Sequence, residues 1–238
     1  SEGENYYHPF MNPQGYEHTN LHASWQRIAP AQKFADVVNM QSFVCQAALA
    51  PKQLQTPEYA AVTNYGYHLD AGKFAEFLKN HSVKSLNVKY IIDDVTKVIN
   101  DDHGYIASLK TNNNGDITGD LFIDCSGSRA RLIGEHFNSE LITQDHILFN
   151  NSAVAAQIPN AHINQPIASA TLSTAQSNGW IWDIALPTRR GTGYVYSSKY
   201  QSDESATNTL KSYIAKSTSE QQAEQLNYRV LKFSPGYR

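Results

Sequence analysis

At 238 residues the chain is long enough for one large domain or two modest ones with a buried core, which excludes a peptide held by staples. With 19 basic against 22 acidic residues, a net charge of −3 and a pI near 6.3, it lacks the basic blocks that track phosphates, so nucleic acid is not an expected partner. Its two cysteines, Cys45 and Cys125, have neither CxxC nor metal-knuckle spacing; they fit a reducing compartment and leave one disulfide open.

The opening SEGENYYHPF has two glutamates and no basic region leading into an apolar run, so it is not read as a signal peptide. No apolar stretch reaches membrane-spanning length. The chain is therefore expected to be soluble and cytoplasmic, with no membrane partner.

Residues 1–66 lack a clear period and are rich in Asn, Gln, Pro and Tyr, which predicts irregular structure with one helix around 31–49. At Asp70 a capping residue precedes Phe74, Phe77 and Leu78 at three- and four-residue spacing, predicting a helix over about 71–82. The runs NVKYII, VTKVIN and YIASLKT are rich in Val, Ile and Tyr and predict a meander, the last run entering a turn at NNNGD with Gly115 at positive φ. In DITGDLFIDCSG the apolar centre Leu121-Phe122-Ile123 predicts a buried strand, followed by a tight turn and the short helix RARLIGEHF. From Ile147 the segments ILFNNSAVAAQI, ASATLST, GWIWDIAL and TGYVYSSKY predict successive strands of a mixed or antiparallel sheet. Ser202 or Asp203 caps a last helix to about Lys216, and YRVLKF closes the chain as a strand. The abrupt opening and the ending at PGYR lead us to expect a segment of a longer protein.

Two stretches carry candidate chemistry. In DLFIDCSG, Ser126 and Gly127 end the expected strand, where backbone without a bulky side chain lets a ligand come close; an ordinary Ser-Gly turn fits the same residues. In GWIWDIALP, two of the three tryptophans stand one residue apart, so a strand sets Trp180 and Trp182 on one side with Ile181 behind them. Taken by itself, such a pair reads as core or exposed-platform aromatics. His103, His136, His146 and His162 show no ligand spacing, so no metal is expected; nor is there a G-x-S-x-G elbow or an HExxH.

The order YYHPF, YHLDAGKFAEFLK, V-x-x-V at Val95 to Val98, DLFIDCSGSRARLI, GWIWDIALP and GYVYSSKY resembles the flavin-dependent tryptophan halogenases over almost the whole chain. The Asp-Cys-Ser-Gly turn is shared more loosely by FAD proteins of the glutathione-reductase type, whereas the Trp-x-Trp pair is the selective signature. The resemblance implies an α/β (α+β) fold in which part of an FAD-binding domain of that type joins a mixed or antiparallel β-sheet region on the substrate side. It divides the chain into an irregular and helical segment lining the substrate pocket (1–66), part of the FAD-binding domain (67–137) and the β-rich substrate-side region (138–238).

Carried over residue by residue, the resemblance makes Trp180 and Trp182 a wall near the flavin that keeps substrate from meeting it directly. It places the Val95 backbone at the adenine, Asp124, Ser126 and Gly127 at the cofactor, and His8 and Phe10 around the substrate ring. His68 and Asp70 match the family's His-x-Asp helix start, and the residues themselves read as a local hydrogen-bond partner and a cap. The implied reaction uses FAD reduced by a separate flavin reductase, oxygen, and chloride or bromide, and directs hypohalous acid through a lysine and a glutamate to an aromatic carbon. Neither of those residues lies in this chain, nor does a GxGxxG, so residues 1–238 alone are expected to be inactive. Two departures bear on substrate: Ala185 replaces the proline of the Trp motif, and Ser128-Arg129-Ala130 stands where the family has Phe-Arg-Gly. The partners implied are a small aromatic molecule and, transiently, the reductase, with a homodimer left open. A flavin monooxygenase or reductase of the same superfamily, and a non-catalytic β-rich binding module, are the alternative readings.

Overall fold

The structure, a computed structural model, describes residues 4–238, so the first three residues of the expected irregular segment lie outside it. The chain forms two compact units: Ser1–Leu69 with Ala155–Tyr194 and Leu210–Tyr228, and Asp70–Val154 with Val195–Thr209 and Arg229–Arg238.

In the first unit three short helices appear where one was expected. The first, α1 (Leu21–Ile28), starts at Asn20, whose side chain accepts from the Ala23 N–H at 3.0 Å. Trp25 in α1 packs with His22 and Phe34 at ring separations of 5.4 and 5.7 Å. The helix expected over 31–49 is split into α2 (Phe34–Val38) and α3 (Gln41–Gln46) by Asn39, which is extended and accepts the Gln41 N–H on its own side chain at 2.8 Å. Local capture of backbone donors by an Asn side chain competes with helix continuation.

Further along, α4 (Ala71–Ser85) opens the second unit. The Asp70 carboxylate accepts from the Lys73 N–H at 3.3 Å, so the predicted cap is present and the helix runs three residues beyond its expected end. The meander follows as β1 (Val95–Asn100), β2 (Ile106–Thr111) and β3 (Asp116–Thr118), all antiparallel. NVKYII is not one of its strands; the third strand instead follows the NNNGD turn, where Gly115 has φ +70° as expected. That turn is fastened by Asp93, whose carboxylate accepts from the Asn113 and Asn114 N–H groups at 2.9 Å each. Hydrogen bonding, led by the Asn114 side chain, holds this carboxyl well below the usual range.

The buried strand expected at Leu121-Phe122-Ile123 is absent: the segment joins no ladder, and Leu121 and Ile123 are 79% and 77% exposed. An apolar run becomes a two-sided buried strand only with neighbours on both edges, and no described strand pairs with it. The expected short helix does form, as a 3₁₀ turn at Gly127–Arg129 and a π-helical turn at Arg131–His136. One pairing the sequence did not suggest, β4 (Ile142–Thr143) with β10 (Gly236–Tyr237), ties the end of the chain back.

The expected later strands are β5 (Ser152–Pro159), β6 (Leu172–Gln176), β7 (Gly179–Ala185) and β8 (Arg189–Tyr196), with β9 (Arg229–Lys232) from YRVLKF. They are hydrogen-bonded in the order β6-β7-β8-β5-β9. The helix α5 (Asp203–Ala215) starts with Ser202 Oγ accepting from the Ser205 N–H, and it buries Ala206, Leu210 and Ile214 at a spacing of four. It is not the last helix, because Ser219 caps a further one, α6 (Glu220–Gln225). Val154, Ile181, Tyr194, Tyr196, Leu210 and Ile214 are the largest fully buried apolar side chains.

Candidate functional site

Period two on β7 is obeyed: Ile181 and Asp183 are buried on one side, while Trp180 and Trp182 stand together on the other. The indole centroids are 6.3 Å apart and tilted by 61°, an edge-to-face pair, and Trp180 is 40% exposed. The strands on either side make room for them. Across β6, Trp182 faces Ser173 and Trp180 faces Ala175. On β8 the Trp182 ring covers Gly193, where an added Cβ would stand 2.8 Å from Cε2 and closer still to Cζ2 and Cη2. Two broad rings therefore lie on a floor of small residues. The tryptophans were legible in the sequence; the small residues were missed, although Gly193 in TGYVY and Ser173 and Ala175 at period two were the available signal.

Behind the indoles, Asp183 is 3% exposed, accepts from Tyr213 Oη at 3.2 Å and forms an ion pair with Arg190 Nη1 at 3.4 Å. Arg190 also donates to Ser217 Oγ at 2.7 Å. Burial, and then the Asp183 charge, push the Tyr213 phenol up. Through Asp183, β7 is tied to β8 and to the end of α5 from the face opposite the tryptophans.

His8 and Phe10 lie in irregular chain, both exposed, Phe10 to 71%. The backbone beneath the Phe10 ring is nonetheless held. The buried Gln41 accepts on Oε1 from the Phe10 N–H at 2.6 Å and the Met11 N–H at 3.2 Å, and its Nε2 donates to the Asn64 carbonyl. Asn39 Nδ2 donates to the Met11 carbonyl at 3.2 Å. His68 is not a local partner: its Nε2 hydrogen-bonds Thr171 Oγ1, 103 residues away, at 2.9 Å. The two cysteines are free thiols; Cys45 lies against the Ser169 carbonyl, with its Sγ 3.9 Å away, and burial pushes its thiol up.

In the second unit, Asp124, Ser126 and Gly127 come together as one hydrogen-bonded turn. Asp124 Oδ1 accepts from the Ser126 hydroxyl at 2.6 Å and its N–H at 3.1 Å, and Oδ2 accepts from the Leu132 and Ile133 N–H groups at 2.7 and 3.2 Å. Those bonds, led by the Ser126 hydroxyl, hold the Asp124 carboxyl down at about 2. Ser126 Oγ in turn accepts from the Arg131 N–H at 2.7 Å. With both side chains engaged, the accessible group is the backbone at Gly127, which has φ +67° and nothing within 4 Å of where a Cβ would be. Ala130 has φ +46°, a left-handed conformation, at the position where the resembled motif has glycine. Val95 opens β1 opposite Thr111 and is half-buried.

A cleft of about 800 Å³ opens in the 44–63 loop between Val44, Leu49, Pro51, Leu54 and Val62, and none of the predicted site residues lines it. Among the described residues no group of three metal-ligating side chains occurs, and no helix is long and apolar enough to cross a membrane.

The family model described as tryptophan halogenase matches residues 1–238. Tryptophan 6-halogenase SttH of Streptomyces toxytricini is 32% identical over 249 residues, 96% of this chain and 47% of that protein. The 7-chloro-L-tryptophan 6-halogenase KtzR of Kutzneria is 30% identical across 99% of this chain and 50% of its own length. Among solved structures, a tryptophan halogenase from Shewanella frigidimarina has a TM-score of 0.90 at 45% identity, covering 97% of this chain and 43% of its own. The chain spans about half the length of the curated relatives it matches.

Proposed function

Because the chain belongs to the tryptophan halogenase family, we propose that the natural protein carrying these residues halogenates tryptophan or a related indole with reduced FAD, oxygen and chloride or bromide. The observation that carries the proposal is the indole pair of Trp180 and Trp182, laid open on a floor of small residues at Ser173, Ala175 and Gly193. The relatives favour neither the monooxygenase nor the binding-module reading.

When bound, FAD supplies the oxygen chemistry that makes halide electrophilic. The residues of this chain position and exclude. Gly127 offers backbone to the cofactor, since its conformation keeps the approach free of side chains. Asp124 and Ser126 act by holding that turn, their own polar atoms being taken up within it. Val95 contributes backbone at the adenine. Trp180 and Trp182 form the wall that separates flavin from substrate, and His8 and Phe10 flank the aromatic ring to be halogenated. Residues 1–66 thus belong to the substrate pocket, 67–137 to the FAD-binding domain and 138–238 to the substrate-side region, and reduced FAD arrives from a separate reductase.

Titrating FAD into the natural full-length protein tests the wall. Tryptophan fluorescence is expected to be quenched as FAD binds, and the quenching to fall sharply in Trp180→Phe/Trp182→Phe. Unchanged quenching in that double variant would remove these residues from the flavin.

A further inference from the structure

We infer that Gln41, with Asn39 beside it, is the positioning residue that fixes where the Phe10 ring stands; the inference rests on the reading of Phe10 as a substrate contact. A ring 71% exposed is not located by packing around it, so its place depends on the backbone beneath it. That backbone joins no sheet. Pro9 has no N–H, and the next two N–H groups, of Phe10 and Met11, both donate to the single oxygen Gln41 Oε1, while the Met11 carbonyl accepts from Asn39. Two side-chain amides thus do for this segment what a strand partner would do.

The same Gln41 amide donates to the Asn64 carbonyl, two residues before Gly66. Gly66 lies beside the Phe10 ring, where an added Cβ would be 3.8 Å from its Cε2. One side chain, 8% exposed, therefore holds both the backbone that carries the ring and the segment beside it. Gln41 is itself fixed at the start of α3 by its N–H bond to Asn39 Oδ1. Its amide is taken up by the Phe10 and Met11 N–H groups and the Asn64 carbonyl, so it acts by positioning the Phe10 segment.

Steady-state kinetics of the natural full-length enzyme with tryptophan as the varied substrate test this. Gln41→Leu is expected to raise KM about tenfold, the equivalent of one or two hydrogen bonds, with kcat and FAD affinity within about twofold of wild type. Asn39→Ala, which removes the bond to the Met11 carbonyl and the acceptor of the Gln41 N–H but leaves Gln41 Oε1 on the Phe10 and Met11 N–H groups, is expected to raise KM about threefold. Phe10→Ala raises KM by itself, and adding Gln41→Leu to it raises KM no further. The inference is overturned if Gln41→Leu leaves KM unchanged, weakens FAD and substrate alike, or adds in full to Phe10→Ala. Should Gln41→Leu not fold, Asn39→Ala decides on the same criteria. A silent Phe10→Ala sinks the reading of this segment as a substrate wall and the inference with it; an active Phe10→Ala beside a silent Gln41→Leu sinks the inference alone.

Discussion

Gly193→Ala is the substitution that most sharply tests how the tryptophan pair is seated. The new methyl carbon would fall 2.8 Å from Trp182 Cε2 and nearer to two further ring carbons, whereas carbon atoms settle at about 3.5–4.0 Å. The backbone of β8 is hydrogen-bonded into the sheet, so the indole is what must move, by roughly 1 Å or more at its far edge. Overpacking of this kind costs about 1–3 kcal/mol. Alanine is otherwise acceptable in a strand, so the penalty belongs to the contact with Trp182. Chemical denaturation of Gly193→Ala, Trp182→Ala and the double variant reads it directly: the single Gly193→Ala loses about 1–3 kcal/mol, and in the Trp182→Ala background the same change costs less than about 0.5 kcal/mol. A shifted tryptophan emission spectrum is expected alongside. A Gly193→Ala protein with wild-type midpoint and emission, or a penalty that persists without Trp182, would show that the ring does not lie over Gly193.

Three further outcomes follow from the geometry. Ala130→Gly is expected to stabilise by about 0.5 kcal/mol, since the left-handed backbone costs alanine roughly 1–2 kcal/mol and glycine gives back about 0.4–1 through its freer unfolded chain; a lower denaturation midpoint at the same m-value would contradict this. The turn at Asp124 is stabilised by an ionised carboxylate whose folded value, about 2, lies below the unfolded value of about 3.9. Its contribution is therefore complete above about pH 4 and is lost as pH falls towards 2, so hydrogen-exchange protection of the Leu132 and Ile133 amides should decline across that interval and the decline should vanish in Asp124→Asn. Asp183→Ala leaves Arg190 and Tyr213 without their shared acceptor and is expected to cost about 3 kcal/mol, with Asp183→Asn in between because it keeps an oxygen for Tyr213; thermal unfolding of the three proteins gives the order.

Local signals carried much of the fold. Asp70 was readable as a cap because capping depends on residues three positions apart, and β7 was readable because one strand's alternation already separates Trp180 and Trp182 from Ile181. What failed depended on neighbours. Leu121 and Ile123 look buried in composition, yet burial requires paired strands that no sequence window reports. The helix expected over 31–49 looked continuous until Asn39 turned its side chain on the Gln41 amide. At the candidate site, the aromatic residues and Asp124 could be named from the sequence, whereas the residues that hold them in place could not. The tie from His68 to Thr171 spans 103 residues, and the clamp from Gln41 to Phe10 spans 31. Asp124 was picked out by its motif, but only the geometry gives its carboxylate to the turn itself.

The measurement that bears most directly on the account is product analysis with and without halide. The natural full-length protein, given tryptophan, FAD, a flavin reductase with its reductant, oxygen and chloride or bromide, is expected to yield a mono-halogenated indole whose isotope pattern follows the halide supplied, with no such product from residues 1–238 alone. A product that forms equally well without halide, carrying oxygen in place of halogen, would contradict it.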